Sequence, residues 1–123
     1  MVFGETPYAE FEGDKESTDF DKLRSEDKSF FTRMKADKVK TIGVFLTGRP
    51  SGVDSLLDLS DAFVVAWLPG SEGAGVADVL LARKDGSSTY NFTGRLPFAW
   101  PADGGTASAP APVRFDRGYG LSY

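Results

Sequence analysis

The fold is decided by the stretch VKTIGVFLTG (residues 39–48) and by its companion AFVVAWL (62–68). Each is a nearly continuous apolar run, and the two runs end at Gly48 and at Pro69 with its following glycine. Such runs are typical of strands buried on both faces of a parallel sheet. Between them, GVDSLLDLSD (52–61) fits a short helix or turn. This order of elements predicts a layered, three-layer sandwich-type α/β domain with a mainly parallel sheet.

A first helix is predicted over about residues 25–36. Ser25 is a favoured N-cap residue, and the carboxylates of Glu26 and Asp27 follow it in the first turn, where the helix dipole stabilises negative charge. Apolar residues then recur at helical spacing at Phe30, Phe31 and Met34. We therefore expect this helix to bury one apolar face.

A second helix is predicted over about residues 72–82, after the Gly-rich turn PGSEGAG (69–75). Ser71 is the expected N-cap, and the expected apolar face holds Val76, Val79 and Leu80. Gly-rich turns before helices can bind phosphate, but no Lys-Ser or Lys-Thr pair follows these glycines, and Glu72 would repel an anion. The glycines are therefore attributed to close packing of the helix on the sheet.

The two ends of the chain are less regular than its middle. Val2 and Phe3 are interpreted as the last residues of a strand, and residues 4–24 as a long polar loop of the kind that is usually functional or disordered. Residues 101–123 are interpreted as a Pro-, Ala- and Gly-rich surface connection followed by a terminal extension. We expect residues 1–123 to form a single partial domain, the truncated C-terminal portion of a larger α/β unit.

Composition excludes several classes of function. The chain has 123 residues, a net charge of −4 and no strongly basic stretch, so nucleic-acid binding is not expected. It has no Cys and no His, which removes disulfides, zinc sites, cysteine nucleophiles and histidine-based triads. No apolar run is long enough to span a membrane, and MVFGET (1–6) does not resemble a signal peptide. Acid–base chemistry is left to carboxylate, Lys and Tyr side chains, and neither a metal nor another cofactor is predicted.

Five stretches occur in a specific order along nearly the whole chain. They are GETPYAEFEGD (4–14), VFLTGRP (44–50), DAFVVAWLPGSEGAGVADVL (61–80), FTGRLPFAWP (92–101) and GYGLSY (118–123). Together they resemble the C-terminal portion of glycoside hydrolase family 3, particularly its bacterial exo-β-glucanase and β-glucosidase members. The resemblance implies a retaining enzyme that pairs a barrel domain, which carries an Asp nucleophile, with an α/β sandwich domain. This chain would be the later part of the sandwich domain.

The resemblance places the general acid/base Glu in the stretch GETPYAEFEGD. In the family this residue commonly follows a Gly at the end of a strand, which matches Gly4 and Glu5, and Glu10 is the second candidate. One departure is Thr6, where many relatives carry His. Tyr8 either lines a sugar site, since flat rings pack against pyranose faces, or anchors the loop. Composition alone would make the same stretch a solvated acidic loop.

Nearby residues are expected to have structural roles. Arg49 follows a buried strand and is expected to pair with a carboxylate and hold the strand end, with Pro50 fixing the exit of the chain. Gly13 and Asp14 are expected to shape the turn that ends the acidic stretch. Without the barrel domain to cover it, Glu5 is expected to be an exposed carboxylate.

The predicted partners are a β-glucoside or β-glucan oligosaccharide and the N-terminal barrel domain of the same enzyme. No nucleic-acid or membrane partner is predicted, and the parent enzyme is expected to be periplasmic or secreted in a bacterium. The alternative is a non-catalytic α/β module that binds sugars or a protein, is inactive alone, and self-associates through surfaces exposed by truncation. Nucleotide binding ranks last, because it rests on the α/β pattern alone.

Overall fold

The computed structural model describes residues 1–20, 24–103 and 111–123. The strands are β1 (Val2–Gly4), β2 (Ile42–Leu46), β3 (Ala62–Trp67), β4 (Trp100–Pro101) and β5 (Val113–Phe115). The helices are α1 (Ser25–Ala36), α2 (Asp54–Leu59) and α3 (Gly73–Leu80), and a 3-10 turn spans Glu10–Gly13. Within these described ranges, no helix is long and apolar enough to cross a membrane.

A parallel sheet forms from β1, β2 and β3, in that order. Phe3 lies opposite Phe45, and Phe45 lies opposite Val65. Because parallel strands all run the same way, their carboxyl ends meet at one edge of the sheet. The loops that follow β1 and β2 therefore start side by side. The sheet confirms the predicted α/β class.

An aromatic cluster forms the core beside this sheet. The ring centroids of Phe20 and Phe45 lie 4.8 Å apart, and Phe3 lies 5.4 Å from Phe45 and 5.6 Å from Phe31. Rings at these separations attract one another beyond the area that they bury. Helix α1 contributes Phe31 and α2 contributes Leu56, both of which are fully buried. The cluster holds β1 against β2 and so determines where the loop after β1 begins.

Helix α1 matches the predicted range but not the predicted cap. Ser25 is its first residue, Arg24 occupies the N-cap position, and no side chain caps the helix. Glu26 and Asp27 lie in the first turn as predicted, and Arg24 forms an ion pair with Asp27 at 3.4 Å. Acidic residues near the positive end of the dipole, rather than a hydroxyl cap, therefore mark the start of this helix.

Helix α3 differs more from its prediction. It begins at Gly73 with Glu72 at the N-cap position and no side-chain cap, so the prediction of a Ser71 cap was wrong. None of its residues is buried, and a Cβ atom added at Gly73 or Gly75 would meet no atom of the described residues within 4 Å. The prediction that close packing explains these glycines was therefore wrong. Glycine at position 70 is explained by its backbone conformation instead, since its φ of 55° lies in the left-handed region.

The C-terminal segment returns to the domain through β4 and β5, which pair antiparallel with Trp100 opposite Phe115. The buried indole of Trp100 donates its N–H to the carbonyl of Ser51 at 3.0 Å. Residues 104–110, which make up most of the predicted surface connection, lie outside the described residues. The described part of the terminal extension is thus anchored beside the turn that follows β2.

Candidate active site

The acidic loop, defined here as residues 5–13, begins where β1 ends beside β2. The amide of Glu5 donates to the carbonyl of Leu46 at 3.1 Å, which extends the pairing of the two strands beyond Gly4. A Cβ atom at Gly4 would lie 2.2 Å from that same carbonyl oxygen, so this approach of the two backbones requires glycine. The Gly–Glu pair thereby brings Glu5 to the carboxyl end of the sheet.

The Glu5 carboxylate accepts hydrogen bonds at both of its oxygens. Arg49 donates to Oε1 from Nε at 3.1 Å and from Nη2 at 2.9 Å, and the Thr47 hydroxyl donates to Oε2 at 2.6 Å. The side chain of Glu5 is only 12% exposed and that of Arg49 is 22% exposed. The expectation of an exposed Glu5 was therefore wrong. The predicted pairing of Arg49 with a carboxylate is confirmed, and the carboxylate is Glu5.

Arg49 also contacts the middle and the end of the acidic loop. Its Nη1 donates to the carbonyl of Gly13 at 2.6 Å, and its Cζ lies 4.4 Å from the centroid of the Tyr8 ring. The second contact is a cation–π arrangement. One guanidinium group thus contacts Glu5 at the start of the loop, Tyr8 in its middle and Gly13 at its end.

Tyr8 is held inside this network. A Cβ atom at Gly13 would lie 2.7 Å from Cδ2 of the ring, so the ring packs directly on that glycine. Burial raises the pKa of the Tyr8 phenol, and the negative charge of Glu5 raises it further, while the charge of Arg49 opposes the shift. These contacts are those of a loop anchor, and a role of Tyr8 in lining a sugar site stays a prediction.

Glu10, the second candidate acid/base, opens the 3-10 turn Glu10–Gly13. Its side chain lies outside the part of the chain that the structure describes. The turn closes with a bond from the Asp14 amide to the Phe11 carbonyl at 3.1 Å, and the Phe11 side chain is 84% exposed. Gly13 and Asp14 therefore close the turn, and Phe11 and Glu12 within it are exposed.

Thr47 is a residue of the candidate site that sequence reasoning missed. It follows the last residue of β2 and is buried, and its hydroxyl bonds to Glu5. The available signal was a threonine directly after a buried strand, at the edge where loops of a parallel sheet converge. A polar side chain buried at that position needs a partner, and here the partner is the candidate acid.

A cavity of about 380 Å³ lies away from this network, along β3. Its lining includes Phe63, Trp67, Phe115 and Tyr119, and no residue of the acidic loop. β3 is also less buried than predicted, since only Val64 of its six residues is buried. The candidate chemistry and the cavity thus occupy different parts of the domain.

Among the described residues, no group of three His, Cys, Asp or Glu is placed to hold a metal ion. The acidic residues of the loop are instead spread along it, with Glu12 exposed and Glu5 held by Arg49, and Asp14 directly after the loop is also exposed. The polar groups that converge at the end of the sheet are therefore an ion pair, a hydroxyl and a phenol.

Comparisons with known proteins agree with this architecture. The family model described as the glycosyl hydrolase family 3 C-terminal domain matches residues 1–123. An exo-1,3/1,4-β-glucanase (ExoP) from a Pseudoalteromonas species is similar in structure, with a TM-score of 0.89 and 44% sequence identity over 99% of this chain. A glutamine-to-alanine variant of the same enzyme gives the same TM-score and identity. This chain covers only 16% and 20% of those two chains. No curated protein matches the chain.

Proposed function

The chain belongs to the glycosyl hydrolase family 3 C-terminal domain family, and from this we propose that it is the C-terminal domain of a retaining β-glucosidase or exo-β-glucanase that supplies the general acid/base Glu. The similarity to an exo-1,3/1,4-β-glucanase along nearly the whole chain carries the proposal. The nucleophilic Asp would come from a barrel domain of the same enzyme, and the substrate would be a β-glucoside or β-glucan oligosaccharide. By itself, the chain would not hydrolyse glycosides.

The chemistry requires two carboxyl groups about 5–5.5 Å apart across the scissile bond. One attacks the anomeric carbon as an anion, while the other donates a proton to the departing oxygen and later takes a proton from water. The acid must therefore be protonated and free to reach the glycosidic oxygen when the substrate binds.

The contacts of Glu5 favour Glu10 for this role. Both oxygens of Glu5 already accept hydrogen bonds from Arg49 and Thr47. A proton on Oε1 would face the Arg49 donors, and a proton on Oε2 would be donated to the Thr47 hydroxyl, whose own proton then goes to the Arg49 carbonyl 2.7 Å away. In both cases the carboxyl group is held inside the network and is not free to approach a sugar. Sequence analysis preferred Glu5. We now propose Glu10 as the acid/base and Glu5 as the residue that ties the start of the loop to the sheet.

The assignment can be tested in the intact enzyme that carries this domain. We expect Glu10→Gln to lower kcat/KM for phenyl β-glucoside on the order of 10²–10⁴-fold. For dinitrophenyl β-glucoside the value should change little, because that leaving group departs without a proton. With dinitrophenyl β-glucoside kcat should fall instead, because water must attack the glycosyl-enzyme without a general base, and azide should restore kcat by attacking that intermediate directly, which yields a β-glucosyl azide.

Glu12→Gln is the matched control, since it removes an exposed carboxylate two positions along the same loop. Glu12→Gln should leave kcat/KM for both glucosides unchanged, and azide should not alter its turnover. If azide restores turnover to Glu5→Gln and not to Glu10→Gln, Glu5 is the acid/base and our assignment is wrong. Robust hydrolysis of either glucoside by the isolated chain would overturn the proposal of a two-domain site.

The alternative of a non-catalytic, self-associating module rests on exposed apolar side chains. Val2 is 65% exposed on β1, and Ile42 is 43% exposed on β2. Apolar surface on sheet strands promotes association with a partner or a second copy. Sedimentation of the chain tests this alternative, and a monomer that binds no sugar would count against it.

A further inference from the structure

We infer that Arg49 is a positioning residue for the acid/base, because it clamps the acidic loop at its start, its middle and its end. The inference rests on the proposed function and adds a residue to it that touches neither substrate nor the reacting atoms. Three contacts carry it: the ion pair with Glu5, the cation–π contact with Tyr8, and the bond to the carbonyl of Gly13.

The clamp spans the position of the candidate acid/base. Glu10 lies between Tyr8 and Gly13, so both sides of the candidate acid/base are tied to the same guanidinium group. The residues between these ties include the exposed Phe11, which shows that the turn itself does not pack into the core. Without Arg49, the contacts of the described loop residues with the end of β2 would be the backbone bond of Glu5, the Thr47 hydroxyl and the Tyr8 hydroxyl, which lies beside Gly48.

Arg49 is itself held in place by the sheet. Its amide lies 3.2 Å from the Thr47 hydroxyl, and Thr47 is buried directly after β2. Pro50 follows with its fixed φ, and Ser51 is again buried. The guanidinium group therefore starts from a fixed point of the domain, which is what a positioning residue requires.

Lysine cannot reproduce this arrangement. Arg49 uses Nε and Nη2 for Glu5 and Nη1 for Gly13, and its Cζ lies over the Tyr8 ring. An ammonium group is a compact point charge without this planar fork, so it cannot make the paired bond to Glu5 and the contacts with Gly13 and Tyr8 in the same geometry. Arg49→Lys therefore keeps the positive charge and removes the guanidinium geometry on which the clamp depends.

If the clamp is loosened, we expect the rate to fall at the step in which the acid/base protonates the leaving group. A misplacement of about 1 Å can cost on the order of 100-fold in rate. The loss should be confined to substrates whose leaving group must be protonated. A general loss of folded protein would instead lower kcat/KM equally for every substrate.

The test compares two substrates in the intact enzyme that carries this domain. We expect Arg49→Lys to lower kcat/KM for phenyl β-glucoside about 100-fold and to change kcat/KM for dinitrophenyl β-glucoside only a few-fold. Arg83→Lys is the control, because Arg83 is exposed and lies away from the loop, and it should behave like the unmodified enzyme. An equal fall for both substrates, or no fall for either, overturns the positioning role.

A second measurement does not depend on activity. Hydrogen exchange of the full 123-residue chain should be faster in Arg49→Lys for the amides of residues 5–13, while the amides of β2 keep their protection. Unchanged exchange in the loop overturns the clamp. If the unmodified intact enzyme hydrolyses neither glucoside, the proposed function fails, and with it the catalytic meaning of the clamp, while exchange still decides whether Arg49 holds the loop.

Discussion

The two ends of the parallel sheet each carry an ion pair, and the pairs differ in how far water reaches them. At the carboxyl end, Arg49 and Glu5 are 22% and 12% exposed, with an N–O distance of 2.9 Å. At the amino end, Lys40 and Asp61 are 88% and 38% exposed, with a distance of 2.5 Å. The shorter contact is thus the more exposed one. Distance alone does not decide which pair contributes more to stability, because water screens the exposed pair.

The pairs also differ in what they connect. Asp61 accepts a bond from the Thr41 amide as well as from Lys40, so it joins the starts of β2 and β3, which are already paired. Arg49 and Glu5 join a loop to the sheet. Breaking the exposed pair leaves the sheet closed by its own ladder, whereas breaking the other pair releases the segment that carries the candidate acid.

Arg49→Ala should have the largest effect on the free energy of unfolding. Removal of one partner leaves the Glu5 carboxylate largely buried without its main donors, which costs about 2 kcal/mol at this partial exposure. Lys40→Ala is the matched change at the other end and should alter stability far less. Urea denaturation of both variants measures the difference, and equal losses would show that burial does not distinguish the two pairs.

Thr47→Val should have the next largest effect. Valine keeps the shape of threonine but removes the hydroxyl that donates to Glu5, at a cost of about 1 kcal/mol. Thr41→Val is the control at the amino end, because Thr41 is also buried but contacts Asp61 through its backbone amide, which valine retains. Urea midpoints that fall equally in the two variants would contradict a specific role for the Thr47 hydroxyl.

The strands of this domain and the pairing of Arg49 could be predicted from the sequence because both depend on local features. A continuous apolar run marks a buried strand wherever it lies, and an arginine directly after such a strand needs a carboxylate nearby. The identity of the carboxylate could not be predicted locally. Glu5 and Arg49 are 44 positions apart, and only the register of β1 on β2 brings them together.

The errors have the same origin. Glu5 was expected to be exposed because no barrel domain covers it, whereas Arg49 and Thr47, which follow β2, cover it from within the domain. The glycines before and within α3 suggested close packing, but their surroundings in the described residues are open. The local sequence pattern indicates which secondary structure a segment favours. The burial of one side chain depends instead on which residues the fold places beside it.

Tyr8→Phe should have a smaller effect, and the part of it that reports the pKa of Tyr8 appears at alkaline pH. The pKa of Tyr8 is raised above 10.0 in the folded chain, first by burial and then by the charge of Glu5. As the pH rises past 10.0, the unfolded chain therefore loses this proton before the folded chain does, and stability falls. Thermal unfolding across this range should show a shallower loss of Tm in Tyr8→Phe than in the unmodified chain. An identical slope in both would contradict the raised pKa.

Asp61→Asn should have the smallest effect, at acid pH and low salt. The hydrogen bond from Lys40 and then the Thr41 amide lower the pKa of Asp61 below 3.8. As the pH falls past 3.8, the unfolded chain takes up the proton first, so the contribution of Asp61 is present above that pH and disappears below it. The Tm of the unmodified chain should therefore exceed that of Asp61→Asn slightly at neutral pH and approach it in acid.

Salt separates the two parts of that contribution. Asparagine keeps an acceptor for the Thr41 amide but carries no charge for Lys40, so the difference in Tm should shrink at an ionic strength of about 1 M, where the Debye length is about 3 Å. The same salt should leave the effect of Arg49→Ala largely intact, since water reaches that pair far less. If salt removed both effects equally, the two ends of the sheet would be electrostatically alike, and the clamp on the acidic loop would be no stronger than an exposed pair.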